Sequence, residues 1–219
     1  NLISRGIDES KIKVVRNGAN LDRFFRRNRH ESLESDLGLK GKFVVGYVGT
    51  HGMAHKLDFI LDSWPKEHED LHLILMGDGA EKDRLKKQAK ELNIHNITFL
   101  DSVSKDEVPN VLSLMDVSLV PLRKSELFKT VIPSKIFENS AMQIPVLLGV
   151  EGESAEIIKE YNAGLCFEPE NTNDFIKKLS LIRNDEQVYK DCQSGCLALA
   201  KAFDRKKMAS EMRSFLLEI

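Results

Sequence analysis

Short apolar runs rich in β-branched residues alternate with amphipathic stretches along most of the chain. Most of these runs have no polar face, which is expected of strands that are buried on both sides. The alternation predicts an α/β fold, a Rossmann-like parallel sheet with helices on both faces. The predicted strands cover residues 12–15, Phe43–Val48, Leu71–Met76, Ile97–Leu100, 117–120, 145–148 and 164–167.

Helical spacing fills the segments between these runs. The side chains of Ser104, Ser134 and Asn173 stand where an N-cap residue would accept hydrogen bonds from free backbone amides. Each of them therefore marks a predicted helix start. The predicted helices cover residues 57–64, 81–92, 105–115, 134–141, 154–161 and 173–183.

The end of the chain, from about Asp185, loses the strand pattern and keeps only helical spacing. We predict two or three terminal helices there, with one apolar stripe on them. The polar segment 26–42 mixes charges of both signs and is expected to be a surface connection. The stripe would consist of Phe203, Met208, Met212 and Phe215.

Size and charge limit the class of protein. With 219 residues the chain is long enough for one α/β domain. Its 32 basic and 34 acidic residues give a net charge of −2, so no global field attracts nucleic acid. No apolar run reaches the roughly 18 residues that a membrane span requires. We therefore expect a soluble, cytoplasmic protein without a transmembrane segment and without a nucleic-acid partner.

The cysteines and histidines argue against a disulfide framework and a metal site. Cys166, Cys192 and Cys196 form an odd set without Cys-x-x-Cys spacing. His51 and His55 stand four residues apart, but no neighbouring carboxylate completes a ligand set. The Gly-x-Ser-x-Gly elbow of many hydrolases does not occur. The sequence predicts no metal and no organic cofactor.

A glycine-rich loop follows the predicted strand Phe43–Val48. Gly46, Gly49 and Gly52 place three glycines within seven residues. Ligands of a parallel sheet bind beyond the carboxyl ends of its strands, and the amides of such a loop can approach a phosphate. A tight strand-to-helix turn would give the same pattern, so both interpretations stay open.

A second loop, residues 121–133, is long and basic and leads into the helix predicted from Ser134. Lys135 lies in the first turn of that helix, where a positive charge opposes the helix dipole unless an anion is near. Glu138 lies one turn further on and could accept hydrogen bonds from the hydroxyls of a ribose. The alternatives are a solvated lysine and a surface pair between Glu138 and Lys135.

Several motifs follow one another along the chain in a set order. They are Val15-Arg16-Asn17-Gly18-Ala19-Asn20-Leu21-Asp22, Tyr47-Val48-Gly49, Leu75-Met76-Gly77-Asp78-Gly79, Met115-Asp116-Val117-Ser118-Leu119-Val120-Pro121, and Glu138 with the later Ile144-Pro145-Val146. The ordered set resembles the carboxyl-terminal, donor-binding domain of the retaining glycosyltransferases of family 4, which have the GT-B architecture. Gly52-Met53-Ala54-His55-Lys56-Leu57-Asp58 is similar to a segment of enzymes that make bacterial capsular polysaccharide or lipopolysaccharide.

The resemblance covers residues 1–219 as one donor-binding domain, with terminal helices from about residue 185. It implies a nucleotide-sugar donor and no cofactor. Lys135 and Glu138 would be the catalytic pair, the first stabilising the leaving diphosphate and the second holding the ribose, while backbone near Val103 would read the base. The residues implied in donor binding are Gly49, Thr50, His51, Gly52, Lys56, Gly77, Val103, Thr130, Pro133, Ser134, Lys135 and Glu138.

The sequence departs from the family pattern at three places. Thr50 stands where the family has arginine, and either His55 or Lys56 would take the place of its lysine. Thr130 occupies the position of the first glutamate in a Glu-x7-Glu pair, of which Glu138 remains. Phosphate contacts would therefore move to Lys135, with Lys56 as a further candidate.

The activity implied by the resemblance is transfer of a sugar, an N-acetylated amino sugar, from a UDP-sugar to a lipid-linked or polysaccharide acceptor. Because the chain opens at Asn1 within the pattern, we expect a fragment that lacks the amino-terminal acceptor domain and transfers nothing alone. The full-length protein would be cytoplasmic or peripheral at the inner membrane face. Half of a nucleotide-sugar 2-epimerase and a non-catalytic Rossmann-like interaction domain remain as alternatives.

Overall fold

The computed structural model describes residues 2–218, and within them six parallel strands form one sheet. The strand order is β3-β2-β1-β4-β5-β6. The winding direction reverses between β1 and β4, which opens a crevice at the carboxyl ends of these two strands. The strands are β1 (Phe43–Val48), β2 (Leu71–Met76), β3 (Ile97–Leu100), β4 (Val117–Pro121), β5 (Val146–Gly149) and β6 (Gly164–Cys166).

The helices of the described chain cover both faces of the sheet. Along β1 the side chains alternate, so that Val44 belongs to one apolar core while Val45 and Tyr47 belong to the other. The first core lies under α4, α5, α6 and α8, and the second lies under α2, α3 and α7. The helices are α1 (Glu31–Asp36), α2 (Leu57–Ser63), α3 (Lys82–Glu91), α4 (Val108–Leu112), α5 (Lys135–Ala141), α6 (Glu153–Tyr161), α7 (Thr172–Asn184), α8 (Glu186–Ala202) and α9 (Arg205–Glu218).

The predicted fold class is confirmed, and one predicted strand is wrong. Residues 12–15 form no ladder with the six-stranded sheet, and Val14 is 79 % exposed. β-branched residues favour a strand only where a neighbouring strand pairs with them. The predicted helix 105–115 is shortened to Val108–Leu112, and it begins where Pro109 fits into the first turn.

The predicted surface connection at 26–42 contains a helix. α1 forms within it, and Leu39 is fully buried in the core. The mixed charges of the segment obscured the helical pattern of α1 in the sequence. The segment is therefore part of the packed domain.

None of the three predicted helix caps forms as predicted. The backbone amide and hydroxyl of Ser104 donate to the Glu107 carboxylate, so the serine side chain does not accept from a backbone amide of the helix. Ser134 makes no side-chain cap bond, because it already has helical backbone angles. α7 is capped by Asn171 in place of Asn173, through a 3.1 Å hydrogen bond from the Asp174 amide.

The tail forms two long helices, as predicted, but not one apolar stripe. Phe203 lies buried at the break between α8 and α9, where its ring centroid is 4.9 Å from that of Phe137. Met212, on α9, is 49 % exposed. The stripe is thus divided, because only the residues near the break reach the core.

Candidate ligand-binding cleft

A cleft of about 560 Å³ opens at the crevice between β1 and β4. One wall is the end of β1 and its following loop, and a second wall is the first turn of α5. The segment after Gly18 and the start of α9 complete it. The cleft is lined by Asn20, Arg23, Phe24, Val48, Gly49, Thr50, His55, Lys105, Val108, Ser134, Lys135, Glu138 and Arg205.

The lining of this cleft is strongly positive although the whole chain is slightly acidic. Arg23, Lys105, Lys135 and Arg205 contribute four cations, and Glu138 is the one carboxylate of the lining residues. Arg23 shares its charge with Asp106 at 3.1 Å. A concave site with this excess of positive charge favours an anionic ligand.

Lys135 is the first residue of α5 and is half-buried in the cleft wall. Its ammonium lies 3.8 Å from the centroid of the Tyr47 ring. Among residues 2–218 it makes no hydrogen bond and no ion pair. Burial lowers the pKa of Lys135 to about 7, against a slight opposing effect of Glu138. The side chain therefore has no counter-ion, and an anion bound in the cleft would favour its charged form.

Glu138 lies one turn after Lys135 and is likewise half-buried. Within the described part of the chain its carboxylate has no hydrogen bond and no salt bridge. Burial raises the pKa of Glu138, while Arg205 and Lys135 act in the opposite direction. Both carboxylate oxygens remain available to accept hydrogen bonds from a ligand.

The glycine loop closes around Lys135. Gly49 has a φ of +147°, and a Cβ at this position would stand 2.8 Å from the Lys135 ammonium. A larger residue at this position would strain the backbone and would require the end of the lysine side chain to shift. Thr50 and His55 line the cleft beside it. Burial, and then Lys135, lower the pKa of His55 to about 4, so its imidazole is neutral at pH 7.

Two other predicted loop residues lie outside the cleft. Gly52 and Lys56 line a separate cleft of about 340 Å³. The Lys56 ammonium lies 3.6 Å from Asp58 and 3.6 Å from Glu170, so its charge is already matched. Of the two candidates for the family's lysine, the structure places His55 in the cleft and turns Lys56 away.

His51 is fully buried behind the loop. Its backbone amide donates to the Asp78 carbonyl at 2.7 Å, and its carbonyl accepts from Glu81 at 3.0 Å. Gly77 approaches so closely that a Cβ there would overlap the Gly49 carbonyl. These residues hold the glycine loop against the next loop and do not line the cleft.

Three further candidates from the sequence are also absent from the lining of the cleft. Val103 is 38 % exposed on the loop before α4. The Thr130 hydroxyl donates to the Leu127 carbonyl at 3.4 Å. Pro133 is half-buried next to Ser134, which does line the cleft. Of the twelve residues that the resemblance implied in donor binding, five line this cleft, namely Gly49, Thr50, Ser134, Lys135 and Glu138. The other seven lie elsewhere.

Sequence reasoning missed the cations contributed by distant segments. Arg205 reaches the cleft because its guanidinium donates to the Gly18 carbonyl at 2.9 Å, and its amide donates to Ala19 at 2.9 Å. Arg23 directly follows the motif that begins at Val15, but it was not among the predicted site residues. A pattern along one chain carries no signal for contacts between its two ends, and Arg205 could not have been found from it.

The fold and this cleft define a doubly wound α/β domain with a positively charged crevice at its topological switch point. The chain belongs to the glycosyl transferases group 1 family, whose model matches residues 29–195. The family implied by the motifs is therefore confirmed at this level.

Curated relatives share low identity over most of the chain. An N-acetylgalactosamine-N,N'-diacetylbacillosaminyl-diphospho-undecaprenol 4-alpha-N-acetylgalactosaminyltransferase of Campylobacter jejuni is 23% identical over 211 residues, 96% of this chain and 55% of that protein. The putative teichuronic acid biosynthesis glycosyltransferase TuaH of Bacillus subtilis is 25% identical over 184 residues, 83% of this chain and 45% of that protein. The chain thus spans about half the length of these relatives.

Solved structures show the same fold. Anabaena HepE in complex with UDP-glucose superposes with a TM-score of 0.83 at 19% identity, over 99% of this chain and 60% of that chain. No helix within residues 2–218 is both long and apolar enough to cross a bilayer.

Proposed function

We propose that this chain is the donor-binding domain of a retaining glycosyltransferase of family 4 type, which transfers a sugar from a UDP-sugar. The observation that carries the proposal is the pair of Lys135 and Glu138 one turn apart, both without a hydrogen-bond or ion-pair partner among the described residues and both open to one cleft. Membership of the glycosyl transferases group 1 family supports the reaction class. HepE, of similar fold, binds UDP-glucose, which supports the choice of donor.

Lys135 would stabilise the leaving diphosphate. Cleavage of the bond between sugar and phosphate leaves negative charge on the departing nucleotide, and prepositioned cations lower the barrier to it. Lys135 lies beside the Gly49 loop, and the other walls of the cleft carry Arg23, Lys105 and Arg205. In this proposal these side chains act as counter-charges, and no metal ion or organic cofactor takes part.

Glu138 would bind the ribose of the donor. Its free carboxylate can accept two hydrogen bonds from vicinal hydroxyls. The surrounding cations favour its ionised form, against the effect of burial, which raises its pKa. A neutral acid there would accept less strongly, so the same cations that attract the phosphates also maintain the ribose contact.

One of the relatives supports a choice of donor sugar and acceptor. The Campylobacter protein is named for transfer of an N-acetylgalactosaminyl group to a diphospho-undecaprenol-linked acceptor. We therefore favour an N-acetylated amino sugar as donor and a lipid-linked or polysaccharide acceptor. The acceptor would bind to a second, amino-terminal domain, and the full-length protein would work in the cytoplasm, peripherally at the inner membrane face.

The open cleft argues against a non-catalytic interaction domain. Unpaired, half-buried charges such as those of Lys135 and Glu138 cost stability unless a ligand compensates them. A domain that had lost its donor site would be free to replace them with apolar side chains. The 2-epimerase alternative would need an acid–base pair, and neutral His55 beside Lys135 does not form a carboxylate–histidine couple.

Calorimetric titration with UDP tests the donor site. We expect the chain to bind UDP, and we expect Lys135→Ala and Glu138→Gln each to weaken binding at least tenfold, or by about 1.4 kcal/mol. Lys87→Ala is the matched control, because Lys87 lies on the exposed face of α3 with Glu91 at 3.7 Å. Equal affinity of the parent and Lys135→Ala for UDP would contradict the donor-site assignment.

A further inference from the structure

Tyr47 is a fully buried residue of β1 that touches two parts of the cleft at once. Its ring lies beneath the Lys135 ammonium at 3.8 Å from centroid to nitrogen. Its hydroxyl donates to the Thr50 carbonyl at 2.7 Å. One side chain therefore contacts both the free cation and the glycine loop.

The ammonium depends on this ring because it has no other close partner in the described chain. A cation over an aromatic face is attracted by the ring quadrupole, and the attraction grows as water is excluded. The Gly49 backbone limits the lysine on the other side. The side chain thus runs through a slot between ring and backbone, which fixes the direction of its charge.

The hydroxyl of Tyr47 holds the glycine loop in a fixed position relative to Lys135. This hydrogen bond holds the Thr50 carbonyl from the buried side of the loop. Thr50 itself lines the cleft. The His51 and His55 rings stand 5.9 Å and 5.6 Å from the Tyr47 ring. Tyr47 is the common support of these loop residues.

We propose that Tyr47 is a positioning residue for the donor diphosphate: its ring holds the Lys135 ammonium and its hydroxyl holds the Thr50 loop in the binding geometry. The inference rests on the proposed donor site. Tyr47 itself does not touch the ligand, because it has no exposed surface. It acts through Lys135 and through the backbone of the loop.

The protonation of Lys135 reports on this role. Burial lowers its pKa to about 7, Glu138 on the same helix opposes that shift, and the ring of Tyr47 favours the charged form. The other groups that face it are His51 and His55 on the loop after β1, and the cations of Arg23, Lys105 and Arg205 line the same cleft. A change in the ring must therefore alter the titration of the ammonium.

Two variants separate the two contacts of Tyr47. Tyr47→Phe keeps the ring and removes only the hydroxyl, so we expect the Lys135 pKa to stay and UDP binding to weaken about threefold to tenfold from a looser loop. Tyr47→Leu removes the ring, so we expect the pKa of Lys135 to fall and UDP binding at pH 7 to weaken about tenfold or more. Circular dichroism confirms that each variant is folded.

The experiment measures the Lys135 pKa by NMR titration in the ligand-free chain and the UDP affinity between pH 6 and pH 9. An unchanged or raised Lys135 pKa in Tyr47→Leu would overturn the inference, as would parent-like UDP affinity in that variant. A pKa shift in Tyr47→Phe equal to that in Tyr47→Leu would do the same. The two proposals fail differently: if Lys135→Ala binds UDP as the parent does, the donor site is wrong, whatever the NMR titration shows.

Discussion

Gly77, at the end of β2, lies directly against the carbonyl of Gly49 in the loop after β1. Its φ is +145°, and a Cβ at this position would overlap that carbonyl oxygen. The Gly49 loop, which borders the cleft, is therefore packed backbone to backbone against the loop after β2. The position of the Gly49 loop, and with it the path of Lys135, depends on the absence of a side chain at Gly77.

Gly77→Ala is expected to damage both stability and ligand binding. The added methyl group would push the Gly49 loop into the cleft, at a cost of about 2 to 4 kcal/mol in the free energy of unfolding. Gly38→Ala is the matched control, since Gly38 also has a positive φ, of +62°, but no atom lies near its missing Cβ. It should lose only about 1 kcal/mol. Urea unfolding and UDP titration of both variants check this prediction. Equal losses of stability in the two variants would show that the contact between Gly77 and Gly49 does not contribute to the free energy of unfolding.

Lys82→Met is expected to destabilise the edge of the sheet. Lys82 is 7 % exposed and donates to the carbonyls of Gly77 at 2.7 Å and Leu100 at 3.2 Å, and to Asp101 at 2.6 Å. Loss of these charge-assisted bonds should lower the free energy of unfolding by about 2 to 3 kcal/mol. Asp101→Asn keeps the lysine and should have a smaller effect. The denaturant midpoints of the two variants give the comparison, and a larger loss in Asp101→Asn would contradict it.

Lys135→Met is expected to stabilise the ligand-free protein while it removes UDP binding. The pKa of Lys135 is lowered by burial from 10.5 to about 7, so below pH 7 the folded chain carries a charge that burial disfavours. Between pH 7 and pH 10.5 the unfolded chain binds more protons, and the stability of the parent rises with pH. The gain from Lys135→Met should be roughly 1 to 3 kcal/mol at pH 6 and should vanish near pH 10.

Unfolding of the parent and Lys135→Met by urea at pH 6, 8 and 10 measures this difference. If Lys135→Met is less stable than the parent at pH 6, the charge of Lys135 stabilises the ligand-free fold. The claim that this charge is compensated only by a ligand would then be wrong.

His55→Ala is expected to weaken UDP binding about fivefold, the value of one ordinary hydrogen bond. Its neutral imidazole lines the cleft beside Thr50. Lys56→Ala should change UDP affinity less, because the Lys56 ammonium faces Asp58 and Glu170 in the neighbouring cleft. Calorimetry on both variants decides between them. If Lys56→Ala proves the more damaging, the assignment of His55 to the cleft is wrong.

The strands could be predicted from the sequence because each is a short, mainly apolar run that is at least partly buried, and all six strands of the described chain lie within one residue of where the pattern placed them. Residues 12–15 have the same composition, but strand formation needs a partner, which no local pattern reveals. The sequence also could not show that His55, and not Lys56, lies in the cleft. Lys56 adopts a φ of +47°, and this left-handed turn sends its side chain away from the cleft.

The candidate site could be predicted only where its residues are close in sequence. Lys135 and Glu138 share one helical turn, so their common face follows from helical geometry. The remaining cations come from Arg23, Lys105 and Arg205, which meet only in three dimensions. Periodicity describes neighbours along the chain, and a cleft is built mainly from residues that are not neighbours.

The bond between Arg205 and Gly18 joins positions 187 residues apart. Ala19 adds two backbone hydrogen bonds to the same junction, one with Phe203 at 3.1 Å and one with Arg205 at 2.9 Å. A shortened version that stops within α8 would lose these hydrogen bonds. The stretch bearing Asn20, Arg23 and Phe24 would then be less firmly attached to the rest of the molecule. Anyone who trims this protein for crystallisation would remove a wall of the cleft by deleting residues that lie far from it in sequence.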